Sequence, residues 1–523
     1  MKTHYDAIVV GAGHNGLVAG GYLAKNGLST IVFERSDRIG GACITKELLP
    51  GFKVSAAAQL LGMLRQRVID DLELERHGLR YKFREPEIFV PFPDGQHVFF
   101  YADATRTMES VAKVAPRDAE AFPRFDSYTA RVARIINDFM LKPQPTLSQF
   151  AAAFTGPDGP DMLNCALFSS VGDYLERFFK SSYVLGPMAY GGMSGSAASP
   201  RTPGTAFSKF YHAASELNGR FGCWAIALGG MGAVTEALAR SFQSYGGEIR
   251  LAASVAQLLY RRDRVGGVVL DNGDEFTADI VLSNADPKTT LLRLAPAEAV
   301  QPEIRAKVTA LRTIGTGCKI NFALGELPDF RALPGKALAP QHCGGIMIAP
   351  SLDYMDRAWD ETKRGLPSSR PFSQMVIQSA TDPSVAPAGK HVMMLWCHHF
   401  PYQLAEGDID TERERLAERM IDILTELAPN FRSAVLAREV FLPVDIERVY
   451  GITGGQIFHT ELMPDQVLWN RPIPGYSGHN DMIPGLYLCG AGTHPGGDVN
   501  GAPGHNAARA VLRDWAGAQF KRS

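Results

Sequence analysis

The sequence predicts an α/β protein: a discontinuous, Rossmann-like dinucleotide-binding domain into which a mixed-sheet substrate domain is inserted. Three observations predict it. Residues 5–41 read as strand, glycine-rich turn, helix, strand and acid. Gly229-Gly230-Met231-Gly232 opens a second helix, and a third glycine-rich loop, after an apolar strand at 485–489, opens another. Between these blocks lie two long stretches that hold most of the aromatics and methionines.

Tyr5 to Val10 is an apolar run of strand length, and it leads into Gly11-x-Gly13-His14-Asn15-Gly16. Gly11 allows the tight turn, Gly13 lets backbone approach a pyrophosphate, and Gly16 lets the helix pack closely on the strand. A helix then runs to Asn26-Gly27, and a second strand from Ser29 to Phe33 ends on Glu34. The helix N-terminus suits an anion, because its first N–H groups are free and the dipole favours negative charge. Glu34 is placed to accept hydrogen bonds from the adenosine ribose hydroxyls and to repel a 2′-phosphate.

The chain continues Glu34-Arg35-Ser36-Asp37-Arg38-Ile39-Gly40-Gly41-Ala42. A dinucleotide unit alone needs no second glycine pair. The run resembles the E-x-x-x-R-x-G-G of FAD enzymes of the glutathione-reductase and amine-oxidase kind. That resemblance implies FAD, with Arg38, Gly40 and Gly41 reaching back to the pyrophosphate. Ala42 stands where many of those enzymes carry a further arginine, so one cation beside the phosphates is missing.

Further along, Ala233 to Tyr245 reads as a helix with Val234, Leu238 and Phe242 on one face, stopped by Gly246-Gly247. Glu248–Leu251 is a strand, 256–261 and 265–270 form a hairpin around a charged turn, and 280–283 is another strand. Near the end, 485–489 is a buried strand, the loop 490–501 is glycine-rich, and a helix covers about 502–515. The expected division is 1–75, 225–300 and 475–523 for the FAD-binding domain, with 76–224 and 301–474 for the substrate domain. No second GxGxxG follows a strand, so no separate NAD(P)H domain is expected.

Bulk composition narrows the function. A formal net charge of −2 without long charged blocks gives no reason to expect nucleic acid. No run of 18 apolar residues free of charge suggests a spanning helix, which leaves room for peripheral membrane contact. The first strand begins within five residues, which leaves no space for a leader and points to the cytoplasm. Seven widely spaced cysteines without C-x-x-C are thiol usage of that compartment and speak against a flavin-linked disulfide reductase. No H-x-x-x-H or paired-carboxylate spacing supports a metal.

The blocks GAGHNGLVAGGYLAKNG, GGMGAVTEALARSFQSYGGEIR and GLYLCGAGTHPGGDVNGAPGHNAA resemble the phytoene desaturase-like FAD oxidoreductases over nearly the whole chain. Within that branch the chain is most similar to the pyridine nucleotide-disulfide oxidoreductase domain-containing protein 2 group, with the flavin-type carotene ketolases as near relatives. The resemblance implies backbone contact of Val255 with the adenine and places Gly490 at the ribityl phosphate end, with Val499 and Asn500 beside the flavin. Two departures bear on substrate. Asp498 stands where relatives usually have glycine, and Cys397-His398-His399 precedes Phe400-Pro401-Tyr402.

Flavin dehydrogenation needs a substrate carbon against the flavin and often a base for the second proton. His494 and Asp498 in the terminal loop, and His398 and His399 at the end of a strand from His391, are the candidates. Successive strand residues alternate faces, so only one of the histidine pair can enter a shared cavity. Each histidine could equally fill a structural hydrogen-bonding role, as could Asp498 as a loop cap and His459 in Gln456-Ile457-Phe458-His459. The stretch Ser169 to Phe179 reads as a one-sided helix that could dock a membrane, line a tunnel or simply pack in a core. Cys43, Cys489 and His494 lie in flavin-adjacent segments, although a non-covalent cofactor is expected.

Three readings stand at this point. The first is an FAD-dependent dehydrogenase or desaturase for an apolar small molecule, cyclic or polyene, with an external electron acceptor or O₂. The second is amine oxidase-like C–N oxidation, and the third is a flavin-binding interaction protein with little turnover. The oligomer is not set by the sequence.

Overall fold

The computed structural model describes residues 2–476 and 478–522. A seven-stranded sheet gathers strands from three separate stretches of the chain. Its order is Glu248–Arg250, Thr30–Phe33, His4–Val10, Glu275–Ser283, Arg264–Leu270 and Val255–Arg261. Leu486–Leu488 pairs in parallel with the second half of Glu275–Ser283, Val281 opposite Leu486. The centre is parallel, with Ala7 opposite both Thr30 and Ile280. Ala7, Ile8 and Val9 are buried completely, as central parallel strands covered on both faces must be.

One face of this sheet carries the helices His14–Lys25, Gly232–Ser244 and Ala502–Arg522. They approach closely because small residues stand at the crossings. A methyl group on Gly504 would lie 2.2 Å from the Asn15 carbonyl oxygen, and one on Gly20 would lie 3.2 Å from the Phe242 ring. Val10, Phe33, Phe276, Val281 and Leu488 fill the opposite face.

The second sheet also has seven strands: Val435–Phe441, Gly317–Leu324, His391–His398, Phe372–Ile377, Gly345–Ile348, Ile88–Pro91 and His97–Phe100. It is mixed, since Gly345–Ile348 runs parallel to Ile88–Pro91 and the other pairs are antiparallel. Alternation sorts its side chains. Cys318, Ile320, Phe322 and Leu324 pack with Leu416, Met420 and Leu424 of the helix Ile409–Leu427. Lys319 and Asn321 point the other way, towards Gln59 and the Ala56 carbonyl. That face therefore looks at the segment 56–59, which follows the strand Phe52–Ser55.

A helical layer closes the third side, centred on Phe122–Met140 and Thr205–Ala213. The stretch expected to be helical from Ser169 forms a helix only over Val171–Glu176, capped by the Ser170 hydroxyl on the Asp173 N–H. Tyr174, Leu175 and Phe179 are fully buried in this layer, so the stripe belongs to the core. The terminal helix runs past the expected end, to Arg522. Among the described residues no helix is long and apolar enough to cross a membrane.

Candidate active site

The glycine-rich turn forms a cradle at the C-terminal end of the first strand. Gly11 turns at φ +94°, and the Gly11 N–H bonds to the Phe33 carbonyl. A methyl group on Gly16 would sit 2.2 Å from the Gly11 carbonyl oxygen, so only glycine lets helix and strand meet here. The second glycine pair returns to this turn. Gly40 donates to the Ala12 carbonyl at 2.9 Å, and a methyl group on Gly41 would lie 3.7 Å from Gly13 Cα. No side chain caps the helix that Gly13 opens. Asn15 Oδ1 is buried there and has no hydrogen-bond partner among the described residues.

Glu34 closes the edge of the cradle. Its carboxylate accepts from the Ala12 N–H at 2.8 Å and from the Ser36 N–H at 2.9 Å, which fixes it at 7% exposure. The Ala253 N–H bonds to the Glu34 carbonyl, which brings Val255 into the same neighbourhood. Gly490 packs on Asn284, whose carbonyl a methyl group at 490 would meet at 2.6 Å. Glycine cradle, uncapped helix, orphaned Asn15 oxygen and fixed carboxylate together fit an adenine dinucleotide. Arg35 instead donates to the Val449 carbonyl, and Arg38 pairs with Asp37 at the surface.

Beside the cradle lies a cavity of about 620 Å³. His14, Ala42, Cys43, Asp498 and Val499 line it on the cradle side, and exposed Asp126 lines it where it meets the surface. The second sheet supplies Met347, Gln374, Trp396 and His398, and the helical layer supplies Phe125, Lys209 and His212. Burial pushes the Cys43 thiol up to about 12, so it is a neutral wall residue that contacts the Met231 carbonyl.

Asp498 and His212 meet in this wall, with Asp498 Oδ2 3.2 Å from His212 Nε2. His212 Nδ1 faces the Ser208 and Gly191 carbonyl oxygens at 2.7 and 3.1 Å, so Nδ1 carries the proton that binds them. Nε2 faces the carboxylate, and neither it nor Asp498 Oδ2 has a hydrogen-bond partner among the described residues. Asp498 holds φ +69°, a left-handed conformation that glycine adopts at less cost than other residues. Tyr211 donates to the Gly497 carbonyl at 2.8 Å and steadies the loop.

The other sequence candidates separate. His398 lines the cavity, and burial pushes it down to about 4. His399 is not among the lining residues; its Nδ1 lies 2.8 Å from the Thr316 hydroxyl. His494 also lies off the lining and donates from Nε2 to the Phe139 carbonyl at 2.9 Å. Asn500 is fully buried and occupied, taking the Ala502 N–H at the start of the terminal helix and donating to the Gly496 carbonyl. Burial first, then His459, pushes His14 down to about 4, while the Asp498 backbone opposes this.

Sequence reasoning missed His212, Trp224, Lys209, Arg84 and Lys319. A signal existed for Lys319, because a lysine inside the apolar run Gly317–Leu324 is a buried lysine. It is fully buried, donates to Gln59 Oε1 at 3.1 Å and lies 5.8 Å from the Trp396 ring centre. Burial holds it well below the usual lysine range.

With this geometry in place, known proteins can be compared. The family model described as flavin containing amine oxidoreductase matches residues 16–512. A pyridine nucleotide-disulfide oxidoreductase domain-containing protein 2 of Rattus norvegicus is 35% identical over 98% of this chain and 94% of its own length. A lycopene-forming phytoene desaturase of Pseudescherichia vulneris is 27% identical over 97% of this chain and 98% of its own. Among solved structures, cyclohexylamine oxidase from Brevibacterium oxydans IH-35A superposes with TM-score 0.61 at 16% identity, covering 98% of this chain and 99% of that one. At that identity the match speaks for the fold.

Proposed function

The chain belongs to the flavin containing amine oxidoreductase family, with FAD as its cofactor, and from that premise we propose that it is a dehydrogenase for an apolar organic small molecule, cyclic or polyene. Bound FAD supplies the acceptor for a hydride from a substrate C–H bond, and an external acceptor or O₂ takes the electron pair onward. The remaining proton goes to Asp498 as base, with His212 Nε2 beside its carboxylate. The observation that carries this reading is that pair, 3.2 Å apart in the wall of an aromatic cavity that begins at the dinucleotide cradle.

Each part of the chain has a role in this reading. Gly11, Gly13 and Gly16 with the free N–H groups of the following helix hold the pyrophosphate, Glu34 the ribose, the Val255 backbone the adenine and Gly490 the ribityl end. Gly40 and Gly41 brace the cradle. His398 is the second candidate base, while His494 and His399 hold their own loops. Residues 1–75, 225–300 and 475–523 form the FAD-binding domain; 76–224 and 301–474 form the substrate domain.

Amine oxidation is the second reading. It is favoured by the Trp224 and His212 rings, both lining the cavity with centres 6.2 Å apart. One anaerobic experiment tests both. The FAD-loaded protein is first photoreduced to show a competent flavin, then mixed with polyenes, cyclic hydrocarbons and alkylamines. Bleaching by a polyene or cyclic donor supports the dehydrogenase, and bleaching by amines alone favours the second reading. A flavin that light reduces and no donor reduces would end both.

A further inference from the structure

A wholly apolar substrate does not account for every wall of the cavity. Arg84 lines it and is 4% exposed. Among the described residues nothing accepts a hydrogen bond from its Nε or Nη1, both of them buried. A buried guanidinium without partners is costly, and folded proteins rarely leave one in that state. Yet the chain makes room for it. Arg84 lies where Gly345 has no side chain, since a methyl group at 345 would come within 2.7 Å of Nη1. The same glycine joins the Gly345–Ile348 strand to Ile88–Pro91, and Arg84 directly follows the strand Tyr81–Phe83, so its guanidinium lies beside a sheet strand.

Glu87 is the carboxylate that lowers the cost of this charge, and it too lines the cavity. No ion pair within 4 Å forms between them, so Glu87 acts on Arg84 at a distance and leaves its donors open. Burial draws Arg84 below the usual arginine range and raises Glu87.

We propose that the substrate carries a carboxylate headgroup that binds Arg84, while its apolar body lies along the aromatic walls. A carboxylate matches the planar fork of a guanidinium and forms charge-assisted hydrogen bonds with it. A single negative charge fits better than a dianionic phosphate, because Glu87 stands beside the site and repels additional charge. Lys209, the second cation in the lining, faces the charge of Asp126, which leaves Arg84 as the cation in the wall whose Nε and Nη1 have no hydrogen-bond partner among the described residues. This inference rests on the cavity being the substrate site, and it deepens that reading by naming the polar end of the molecule.

The test uses the FAD-loaded protein and two probes that differ only in the headgroup, 4-phenylbutyrate and 4-phenylbutanol. Dissociation constants are read from the change in the flavin spectrum and, independently, from the shift in melting temperature. The wild type should bind the acid at least tenfold more tightly than the alcohol. Arg84→Met should bind the two alike, and Arg84→Lys should keep part of the preference. The ratio is internal to each variant, so Arg84→Gln replaces Arg84→Met if the latter does not fold. Equal binding in the wild type, binding of neither probe, or an undiminished preference in Arg84→Met overturns the inference. A protein that prefers the acid but is reduced by no donor retains this docking site and loses the dehydrogenase reading. One that is reduced but shows no preference does the reverse.

Discussion

His212 Nε2 stands 3.2 Å from Asp498 Oδ2, and the two residues reach each other from the helical layer and from the terminal glycine-rich loop. The carbonyls of Ser208 and Gly191 fix the ring by holding its other nitrogen. Asp498→Asn and His212→Gln should therefore keep FAD and slow flavin reduction by roughly 10²–10⁴-fold. Asp498→Gly should separate rate from stability. It loses the same rate but relieves a left-handed backbone, raising stability by about 1 kcal/mol. Stopped-flow reduction and thermal melts of the three variants decide it, and wild-type reduction rates in all three would leave the pair structural.

Gly16→Ala should remove the flavin. The added methyl would lie 2.2 Å from the Gly11 carbonyl oxygen, which is backbone and cannot step aside. Gly27→Ala is the control: φ is +85° there, but nothing lies within 4 Å of a methyl group. It should cost about 1 kcal/mol of stability and leave flavin content unchanged. Absorbance of the purified proteins reads the outcome, and a yellow Gly16→Ala would refute the cradle.

Glu34→Gln should weaken FAD by about 1–3 kcal/mol without unfolding the chain. The amide keeps the size of the side chain but loses the charge that strengthens its hydrogen bonds, and one of the two backbone N–H donors loses a good acceptor. Reconstitution of apoprotein with FAD measures this. Unchanged affinity would place the ribose elsewhere.

Arg471→Met should lower stability by about 3 kcal/mol or more. This fully buried guanidinium binds only carbonyls, among them Ala491 at 2.7 Å, Gln466 at 3.0 Å and Phe458 at 2.5 Å. Truncation would leave all of them unpaired and loosen the loop that carries Asp498. A lower melting temperature together with weaker FAD retention is expected, and a neutral effect on both would contradict the geometry.

Acid should destabilise the protein well before its carboxylates titrate. Burial pushes His14, His398, His459 and His494 each down to about 4. In the unfolded chain they take a proton near pH 6.5. Their contribution is therefore fully present above that value and is lost as pH falls from 6.5 towards 4, because the unfolded state binds more protons there. Each costs up to about 1.4 kcal/mol per pH unit in that window. Urea titrations at pH 7.5, 6 and 5 should show a falling midpoint, and His494→Gln should fall less steeply. A flat profile would mean that these rings are hydrated.

The legible part of the molecule was the part written locally. Gly11, Gly13, Gly16 and Glu34 declare themselves because one turn, one helix and one strand need them at fixed spacing. The apolar periods around 5–10, 233–245 and 280–283 mark elements that the sheet and its helices contain. His212 and Arg84 carried no such mark. Each is a single polar residue among ordinary neighbours, and it acquires meaning only when the inserted sheet and the helical layer close over the cradle. Asp498 was visible as a departure from glycine, but its positive φ and its partner were not. The aromatic stripe at 174–179 packs in the core, one of the three roles its periodicity allowed, since periodicity marks a buried face without saying what buries it.

The late arrival of one strand has a consequence for biosynthesis. Leu486–Leu488 completes the first sheet beside Glu275–Ser283, yet the ribosome makes it only after the whole second half of the inserted region. Until then the cofactor's sheet has an open parallel edge, and long-range parallel pairing is slow to form. The nascent chain must hold its amino-terminal strands in waiting, and flavin capture waits for Leu486–Leu488 to pair. A chain cut short before that strand would be handed to chaperones or proteases with six of the seven strands and an open edge.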